Sequence, residues 1–174
     1  MIEGFEPLLD WAWARHHNEW SWYIRPVFVL AFCAASWFRK PFLIVSLAVF
    51  FPLSAVIFPA PEHPKPHVVE FLLAERQLLE ALTAVQFATF VLAVSLFLTL
   101  LAAAFWKRNL WLGVLVANLG GAAKLLFGYW AWGETGSAAI LPTLVTAFVF
   151  NAICYMTWRL RRQSVKNSME RIKE

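Results

Sequence analysis

The apolar residues of this chain fall into five long stretches that are separated by short polar turns. These stretches cover residues 22–38, 41–59, 81–106, 110–132 and 138–158. A helix of about 20 mostly apolar residues crosses the hydrocarbon core of a bilayer, because that core is about 30 Å thick and each residue rises about 1.5 Å. The pattern therefore predicts an all-α integral membrane bundle of five transmembrane helices, forming one domain over residues 1–174.

The first two predicted spans are interrupted by proline. Pro26 suits the first turn of a helix, and a helix from Pro26 to Phe38 would be only about 20 Å long at 1.5 Å per residue. The span therefore begins earlier, near Trp20, or is short; a re-entrant first segment is the alternative. Pro52 predicts a break in the second span, which we interpret as a structural kink or as the broken helix of a binding site.

The segment 1–21 mixes apolar and charged residues at short intervals. This pattern is typical of an amphipathic helix lying in the membrane interface. The acidic start, residues 1–6, lacks the basic region of a signal peptide, so we expect the first apolar stretch to be retained. The predicted interfacial residues are Phe5, Leu8, Leu9, Trp11 and Trp13, with Glu6, Asp10 and Arg15 between them.

Charge is distributed unequally between the two ends of the predicted bundle. Ten of the 15 basic residues fall in two short loops and in the segment 159–174, whereas nine of the 11 acidic residues and all four histidines fall at the other end. Short loops rich in Lys and Arg stay in the cytoplasm. The sequence therefore predicts a multi-pass protein of the plasma or inner membrane, with N-out/C-in topology and a cytoplasmic basic tail at 159–174.

The composition excludes an ordinary soluble enzyme. Hydrophobic residues make up 60% of the chain and charged residues 15%, with a mean hydropathy of +0.60, whereas a soluble domain carries about a quarter charged residues. The net charge of +4 forms no patch that would fit a nucleic acid. The expected partners are the lipid bilayer and either further copies of the chain or the other subunits of a membrane complex.

Ionisable residues at membrane depth are the candidate functional groups, because charge is costly there. Lys124 lies about 24 Å above Arg108 at 1.5 Å per residue, in the outer third of the bilayer, and a stripe of small residues accompanies it on one helix face. Arg25 has a similar predicted depth. We expect Glu80 or Gln86 to approach Lys124 if the third span tilts, and Asn118 to bond across to another helix. The candidate ligand- or ion-binding residues are Arg25, Glu75, Glu80, Asn118 and Lys124. The alternative is that Lys124 only extends to the outer interface and is paired there.

Four histidines on the outer side are candidate metal ligands, namely His16, His17, His63 and His67. Imidazole suits divalent transition metals. However, the prolines around His63 and His67 make that stretch extended, so the two side chains do not share a helix face. No cofactor is expected otherwise, and polar residues of the interface are the alternative interpretation.

The segment 14–21 reads Ala-Arg-His-His-Asn-Glu-Trp-Ser and is followed by Arg25-Pro26. It resembles the Arg-His-x-Asn-x-Trp-Ser motif of a family of uncharacterised small prokaryotic multi-span membrane proteins. The likeness covers roughly the first 80 residues, and it departs from the family at His17, where the family has a small residue, and at Glu19, where it has proline.

The resemblance implies a multi-span membrane fold and a shared role for the residues that carry it. Counterparts of the family's basic turn, Phe-Pro-x-Pro stretch and Glu-Arg pair are found at Arg39, 58–61 and 75–76. The residues that would act together, structurally or otherwise, are Arg15, His16, Asn18, Ser21, Glu75 and Arg76.

Three classes of function are compatible with these patterns. The first is a channel or transporter for an ion or small solute, which would need an oligomer because five helices enclose little space. The second is an accessory or structural subunit of a membrane complex, and the third is a membrane enzyme acting on a lipid-like substrate. Lys124, Pro52 and the small-residue stripe favour the first.

Overall fold

The computed structural model describes residues 6–172, and the regular structure in that range is entirely helical. The predicted N-terminal positions 1–5 and the tail positions 173–174 lie outside it. The elements, in chain order, are α1 (Glu6–His16), α2 (Trp20–Tyr23), α3 (Arg25–Trp37), α4 (Pro41–Phe50), a first 3-10 segment (Pro52–Val56), α5 (Pro66–Ala81), α6 (Ala84–Trp106), α7 (Leu110–Trp132), a second 3-10 segment (Gly133–Ala139) and α8 (Ile140–Arg171).

Local sequence explains where the long helices begin. Thr83 Oγ1 accepts a hydrogen bond from the backbone N–H of Gln86, and Oε1 of Gln86 accepts one from the backbone N–H of Thr83, so α6 starts with a complete capping box. Asn109 caps α7 by accepting from the N–H of Leu112 at 3.0 Å. Pro52, which has no N–H to donate, follows the end of α4, as the sequence predicted.

Two tight turns at the basic end of the bundle share one geometry. Arg39 and Arg108 both have φ of 55°, the left-handed conformation in which helices usually place glycine. The following residues, Lys40 and Asn109, donate their N–H groups five residues back to Ala35 and to Ala104. Each turn therefore closes a helix with the paired bonds of a Schellman motif while carrying an arginine at the strained position.

The five apolar helices pack around a core at this basic end. α6 and α7 are antiparallel neighbours, and so are α7 and α8, because Trp111 pairs with Trp158 and Asn118 with Asn151. The core comprises Phe32, Cys33, Leu101, Phe105, Phe150 and Cys154. Both cysteines are free, as expected from their places in apolar segments.

The remaining elements form a cap over the opposite end of the bundle, made of α1, α2, the two 3-10 segments and α5. Its core is Trp22, Val68, Phe71 and Leu72, packed against Trp132. Gly133, at φ of 54°, turns the chain out of α7, and Gly136 approaches so closely that a Cβ there would lie 2.6 Å from the carbonyl oxygen of Gly128. The cap and the bundle thus have separate hydrophobic cores.

The predicted interfacial helix is present as α1, but it attaches to the cap through polar groups. Asp10 bonds Arg76 at 2.8 Å, and Trp13 Nε1 donates to the carbonyl of Leu72 at 3.3 Å. The apolar side chains Leu8, Leu9 and Trp11 are at least half exposed. A helix that lies in a membrane interface turns its apolar side chains toward the bilayer, and α1 has such side chains on its exposed face.

Within residues 6–172, two helical stretches are long and apolar enough to cross a membrane, rather than the five expected. They are α6, of 23 residues with a mean hydropathy of 2.4, and the 62-residue stretch Leu110–Arg171, with 1.8, which folds back on itself at the second 3-10 segment. Only 11% and 17% of their most apolar windows are buried. In contrast to the core helices of soluble proteins, these helices present their apolar side chains outward.

The first two predicted spans are shorter than expected. α3 has 13 residues, because the turn at Ile24 separates it from α2, and α4 has 10, because Pro52 follows its end. The expectation of five continuous helices of full length is therefore not confirmed.

The upper half of α6, toward the cap, makes no buried contact with the rest of the described chain. All 13 residues of 84–96 are exposed, whereas Leu101, Ala104 and Phe105 in its lower half are buried. The two helices α6 and α7 therefore pack tightly at one end only.

We expect Arg108→Gly to raise the melting temperature of the purified protein by about 2–4 °C. The substitution removes a left-handed strain of about 1 kcal/mol, which in a chain of this size gives a shift of that order. Lys107→Gly is the matched control and should lower stability, because Lys107 has φ of −75° and gains nothing from glycine. If both variants lowered the melting temperature equally, the backbone of Arg108 would not be strained.

Candidate functional site

Polar side chains meet where the cap joins the bundle. His16, at the end of α1, places its Nε2 3.8 Å from Oε2 of Glu75 on α5. Its Nδ1 lies 3.5 Å from Oγ of Ser21, a completely buried residue of α2. Three separate elements of the cap therefore converge on one imidazole.

Two cations complete this group, Arg25 at the start of α3 and Lys124 on α7. Burial raises the pKa of the Glu75 carboxyl above its ordinary value, and both cations act against this effect by lowering it. Burial, then Arg25, and more weakly His17 and Lys124, lower the pKa of His16 to about 3. We refer to His16, Ser21, Arg25, Glu75 and Lys124 as the polar cluster.

The hydrogen-bonding groups of the polar cluster are incompletely matched. Nε of Arg25 and Oε2 of Glu75 are buried and have no hydrogen-bond partner among the described residues, and the same holds for the indole N–H groups of Trp22 and Trp132 beside the cluster in the cap core. A buried donor without an acceptor costs about 1–3 kcal/mol. With two cations, one carboxylate and a neutral histidine, the cluster has an excess of positive charge and of donors.

The polar cluster is reached from the side of the helical bundle and not from its cap end. Lys124 is exposed, whereas Ser21 is fully buried and the polar atoms of Arg25 and Glu75 named above are out of reach of solvent. The cap elements α1 and α5 cover the cluster at the cap end of the bundle, since they supply His16 and Glu75 themselves. Lys124 is the most exposed member of the cluster.

Ser21, His16 and Glu75 follow the order of a serine–histidine–carboxylate relay, but the geometry does not suit nucleophilic catalysis. Ser21 has no exposed surface, so a substrate carbonyl cannot reach its Oγ in this conformation. A histidine with a pKa near 3 is also a poor general base at neutral pH. In this conformation His16 links Ser21 of α2 to Glu75 of α5.

Two other residues of the Arg-His-x-Asn-x-Trp-Ser motif bind backbone carbonyls of residues 56 and 59, at and just after the end of the first 3-10 segment. Arg15 donates from Nε to the carbonyl of Val56 at 2.9 Å, and Asn18 donates from Nδ2 to the carbonyl of Pro59 at 3.0 Å. Arg76, next to Glu75, joins α5 to Asp10 of α1. Of the six residues that the resemblance grouped, His16, Ser21 and Glu75 lie together, whereas Arg15, Asn18 and Arg76 contact other parts of the cap.

Two of the expected ligand-binding residues lie away from the polar cluster. Glu80 is exposed and accepts from Nε of Arg76 at 2.9 Å, on the outside of α5. Asn118 exchanges two hydrogen bonds of 2.9 Å with Asn151 of α8, nearer the middle of the bundle. The interhelical bond expected for Asn118 is present, while Arg25, Glu75 and Lys124 are the members of the expected set that come together.

The four histidines are dispersed, and in residues 6–172 no three potential metal ligands group together. His16 belongs to the polar cluster, and Nδ1 of His17 donates to the carbonyl of Trp13 at 2.8 Å. His67 lies 3.6 Å from Glu19, which also pairs with Lys65 at 2.6 Å. His63 lines an open groove of about 540 Å³ on the outer face together with His17.

The small-residue stripe of α7 is an interface over part of its length only. A Cβ at Gly113 would strike the ring of Phe105, and one at the adjacent face position Gly120 would strike the ring of Phe97, so α6 and α7 approach closely there. At Gly121, the next residue, which points about 100° away around the helix, a Cβ would meet nothing within 4 Å. The close contact of α6 with α7 is therefore seen at Gly113 and Gly120, and the residues of α6 beyond Phe97 toward the cap, 84–96, are exposed.

Sequence reasoning missed the link between Ser21 and Glu75 through His16. The motif spacing placed His16 and Ser21 near each other, but only the fold of α5 over α1 brings Glu75 to the imidazole. The unmatched indoles of Trp22 and Trp132 were also missed, since Trp at a span end usually indicates the membrane interface.

Comparison with known proteins finds no match to this chain among protein-family models, curated proteins or solved structures.

The buried imidazole makes the stability of the protein sensitive to acid. Because the pKa of His16 is about 3 in the folded chain and about 6.5 in the unfolded chain, only the unfolded chain binds this proton between those values. Stability is therefore lost as the pH falls below 6.5, by about 2 kcal/mol at pH 5. We expect the melting temperature, measured from pH 7 to pH 5, to fall more steeply for the native chain than for His16→Gln.

The comparison with His16→Gln is needed because Glu75 changes the stability of the protein in the opposite direction as the pH falls. Its raised pKa lets the folded chain take up a proton first, so its contribution to stability grows as the pH falls. Parallel melting curves for the native chain and His16→Gln would show that His16 does not carry the acid sensitivity. His17→Gln is the matched control, since that side chain bonds only locally.

Proposed function

We propose that this chain is an integral membrane protein whose five apolar segments all cross the bilayer. α6, α7 and α8 have the necessary length. The stretch 20–37, through α2 and α3, would extend about 27 Å if continuous, and α4 with the first 3-10 segment about 25 Å. Both lengths are close to the hydrocarbon thickness of about 30 Å.

The arrangement of charge and tryptophan supports one orientation. The turns at Arg39 and Arg108 lie at the same end as the basic part of α8, where Arg161 covers the ring of Trp37 at 4.2 Å and Arg39 donates to the carbonyl of Trp106. Cations at short turns favour the cytoplasmic side. The cap, with most of the acidic residues, then lies outside.

Single cysteines in the loops test this topology, with the native chain as background because Cys33 and Cys154 are buried. A membrane-impermeant maleimide should label Glu62→Cys in intact cells, and should label Lys40→Cys and Lys107→Cys only after permeabilisation. Lys40→Cys is decisive. Its labelling in intact cells, with Lys107→Cys protected, would show that α3 and α4 form a re-entrant hairpin rather than two crossings.

We propose further that the chain binds an anionic group at the polar cluster. The observation that carries this proposal is the buried Nε of Arg25, which has no acceptor beside a cluster holding two cations and one carboxylate. An anion would supply the missing acceptor and balance the charge. The planar guanidinium of Arg suits carboxylate and phosphate oxygens, and Lys124 would add a second, movable donor.

The apolar packing in the half of the bundle farther from the cap supports a binding site that opens on one side of the membrane only. Phe32, Leu101, Phe105 and Phe150 fill its centre with apolar rings and side chains. A single chain in this conformation would therefore give access to the polar cluster from the outer half only. Transport by an oligomer, which the sequence favoured, and a purely structural role in a complex are the alternatives that an experiment must separate.

Calorimetric titration of the purified protein with inorganic phosphate tests the binding proposal. We expect Lys124→Gln to weaken binding by about tenfold or more, as the loss of one charged hydrogen bond costs about 1.5–3 kcal/mol. Lys166→Gln, in the exposed part of α8, is the control and should leave binding unchanged. Lys124 is exposed, so its variant should fold.

The absence of phosphate binding by the folded native chain, or equal binding by Lys124→Gln, would overturn the proposal. The same proteins in liposomes separate binding from transport. Phosphate efflux that Lys124→Gln abolishes would identify a transporter, whereas saturable binding without efflux identifies a one-sided site.

A further inference from the structure

The gap between the upper halves of α6 and α7 leads from the surface of the bundle to the polar cluster. The register of the two antiparallel helices follows from two close contacts, Gly113 with Phe105 and Gly120 with Phe97. One turn above the second contact, Lys124 is therefore level with Ala93. Both residues are exposed, as are all residues of 84–96 on α6.

The wall that α6 contributes to this gap is apolar. At 100° per residue, Phe90 and Val94 lie within 60° of Phe97 on the helix surface, so they belong to the face that Phe97 directs toward α7. Their side chains are 47% and 42% exposed. An exposed apolar wall beside an exposed lysine is suited to a ligand that is itself partly apolar and partly charged.

The depth of the gap is that of the outer leaflet. Lys124 lies about 24 Å from the turn at Arg108, within a hydrocarbon layer of about 30 Å. Because α1 and α5 cover the polar cluster from above, a ligand that passes Lys124 comes from the side. At this depth, the side of the bundle faces lipid.

We propose that the gap binds an anionic lipid of the outer leaflet, with its headgroup at Lys124 and Arg25 and its acyl chains leaving between α6 and α7 into the bilayer. This inference rests on the proposed anion site and names its ligand class. Electrostatics favours the occupant, because the site has an excess of cations and the charged end of the lipid is the part that Lys124 can reach. A membrane lipid also covers the apolar wall of 84–96, which the described chain leaves bare.

The test compares phosphate esters of glycerol with and without acyl chains. Binding of short-chain phosphatidylglycerol to the detergent-solubilised full chain is measured beside binding of glycerol 3-phosphate, with phosphatidylcholine of the same chain length as the neutral control. We expect phosphatidylglycerol to bind at least about tenfold more tightly than either. Lys124→Gln should remove the preference for phosphatidylglycerol over phosphatidylcholine.

A pair of matched variants locates the lipid. Ala93→Trp places a large ring in the gap, level with Lys124, and should weaken phosphatidylglycerol binding by about tenfold or more. Val91→Trp introduces the same residue on the face of α6 turned away from α7 and should leave binding unchanged. Both positions are exposed, so neither ring disrupts a core.

The possible failures are distinguishable. If glycerol 3-phosphate binds as tightly as phosphatidylglycerol, the anion site stands and the lipid inference is overturned. If neither anion binds the folded chain, both proposals fail. Equal effects of the two tryptophan variants would place the lipid elsewhere. Loss of a dimer in Ala93→Trp alone, without any change in lipid binding, would show that a second copy of the chain fills the gap.

Discussion

The carboxylate of Glu75 is the point on which the junction between cap and bundle depends. It lies against His16 and within the electrostatic reach of Arg25 and Lys124, so a single acidic side chain connects α1, α3, α5 and α7. Removing one partner from such a buried charge set typically costs about 3–5 kcal/mol, because the others are left uncompensated. Apolar residues in place of these charged groups could hold the cap against the bundle as well, but they would offer no hydrogen-bond donors to a ligand. The charged junction therefore fits the anion site that we propose.

The sequence was sufficient to predict the helical class, both ends of α7, the end of α6 and the break at Pro52, because these depend on local chemistry such as the cap at Asn109. It did not predict that α6 begins only after Thr83 or that α8 runs on to Arg171. It also selected Arg25 and Lys124, since a charge within an apolar stretch is conspicuous by itself. It favoured Glu80 over Glu75 as the acid near Lys124, which is wrong, because the two differ only in which face of α5 they occupy, and that face is set by packing against α1. The shortness of α3 was foreseen from Pro26, whereas the unpartnered half of α6 had no signal, since an apolar helix face looks the same whether protein or lipid covers it.

The polar groups of the chain divide into pairs that are satisfied and groups that are not. Asn118 and Asn151 satisfy each other across α7 and α8, and Arg76 is shared between Asp10 and Glu80. These pairs need nothing further and are best regarded as parts of the scaffold. Unmatched donors collect instead around Arg25 and the cap tryptophans. This contrast between matched and unmatched polar groups is the basis on which we separate scaffold residues from the proposed anion site.

The unequal lengths of the helices have a consequence for the membrane around the protein. The side formed by α3 and α4 offers an apolar height several ångströms smaller than the side formed by α6, α7 and α8. A bilayer adapts to such a hydrophobic mismatch by thinning locally or by tilting the protein, at a cost of a fraction of a kcal/mol per ångström. If the five segments cross the bilayer as we propose, the surrounding leaflets would be deformed asymmetrically, with the bilayer thinner beside α3 and α4 than beside α6, α7 and α8.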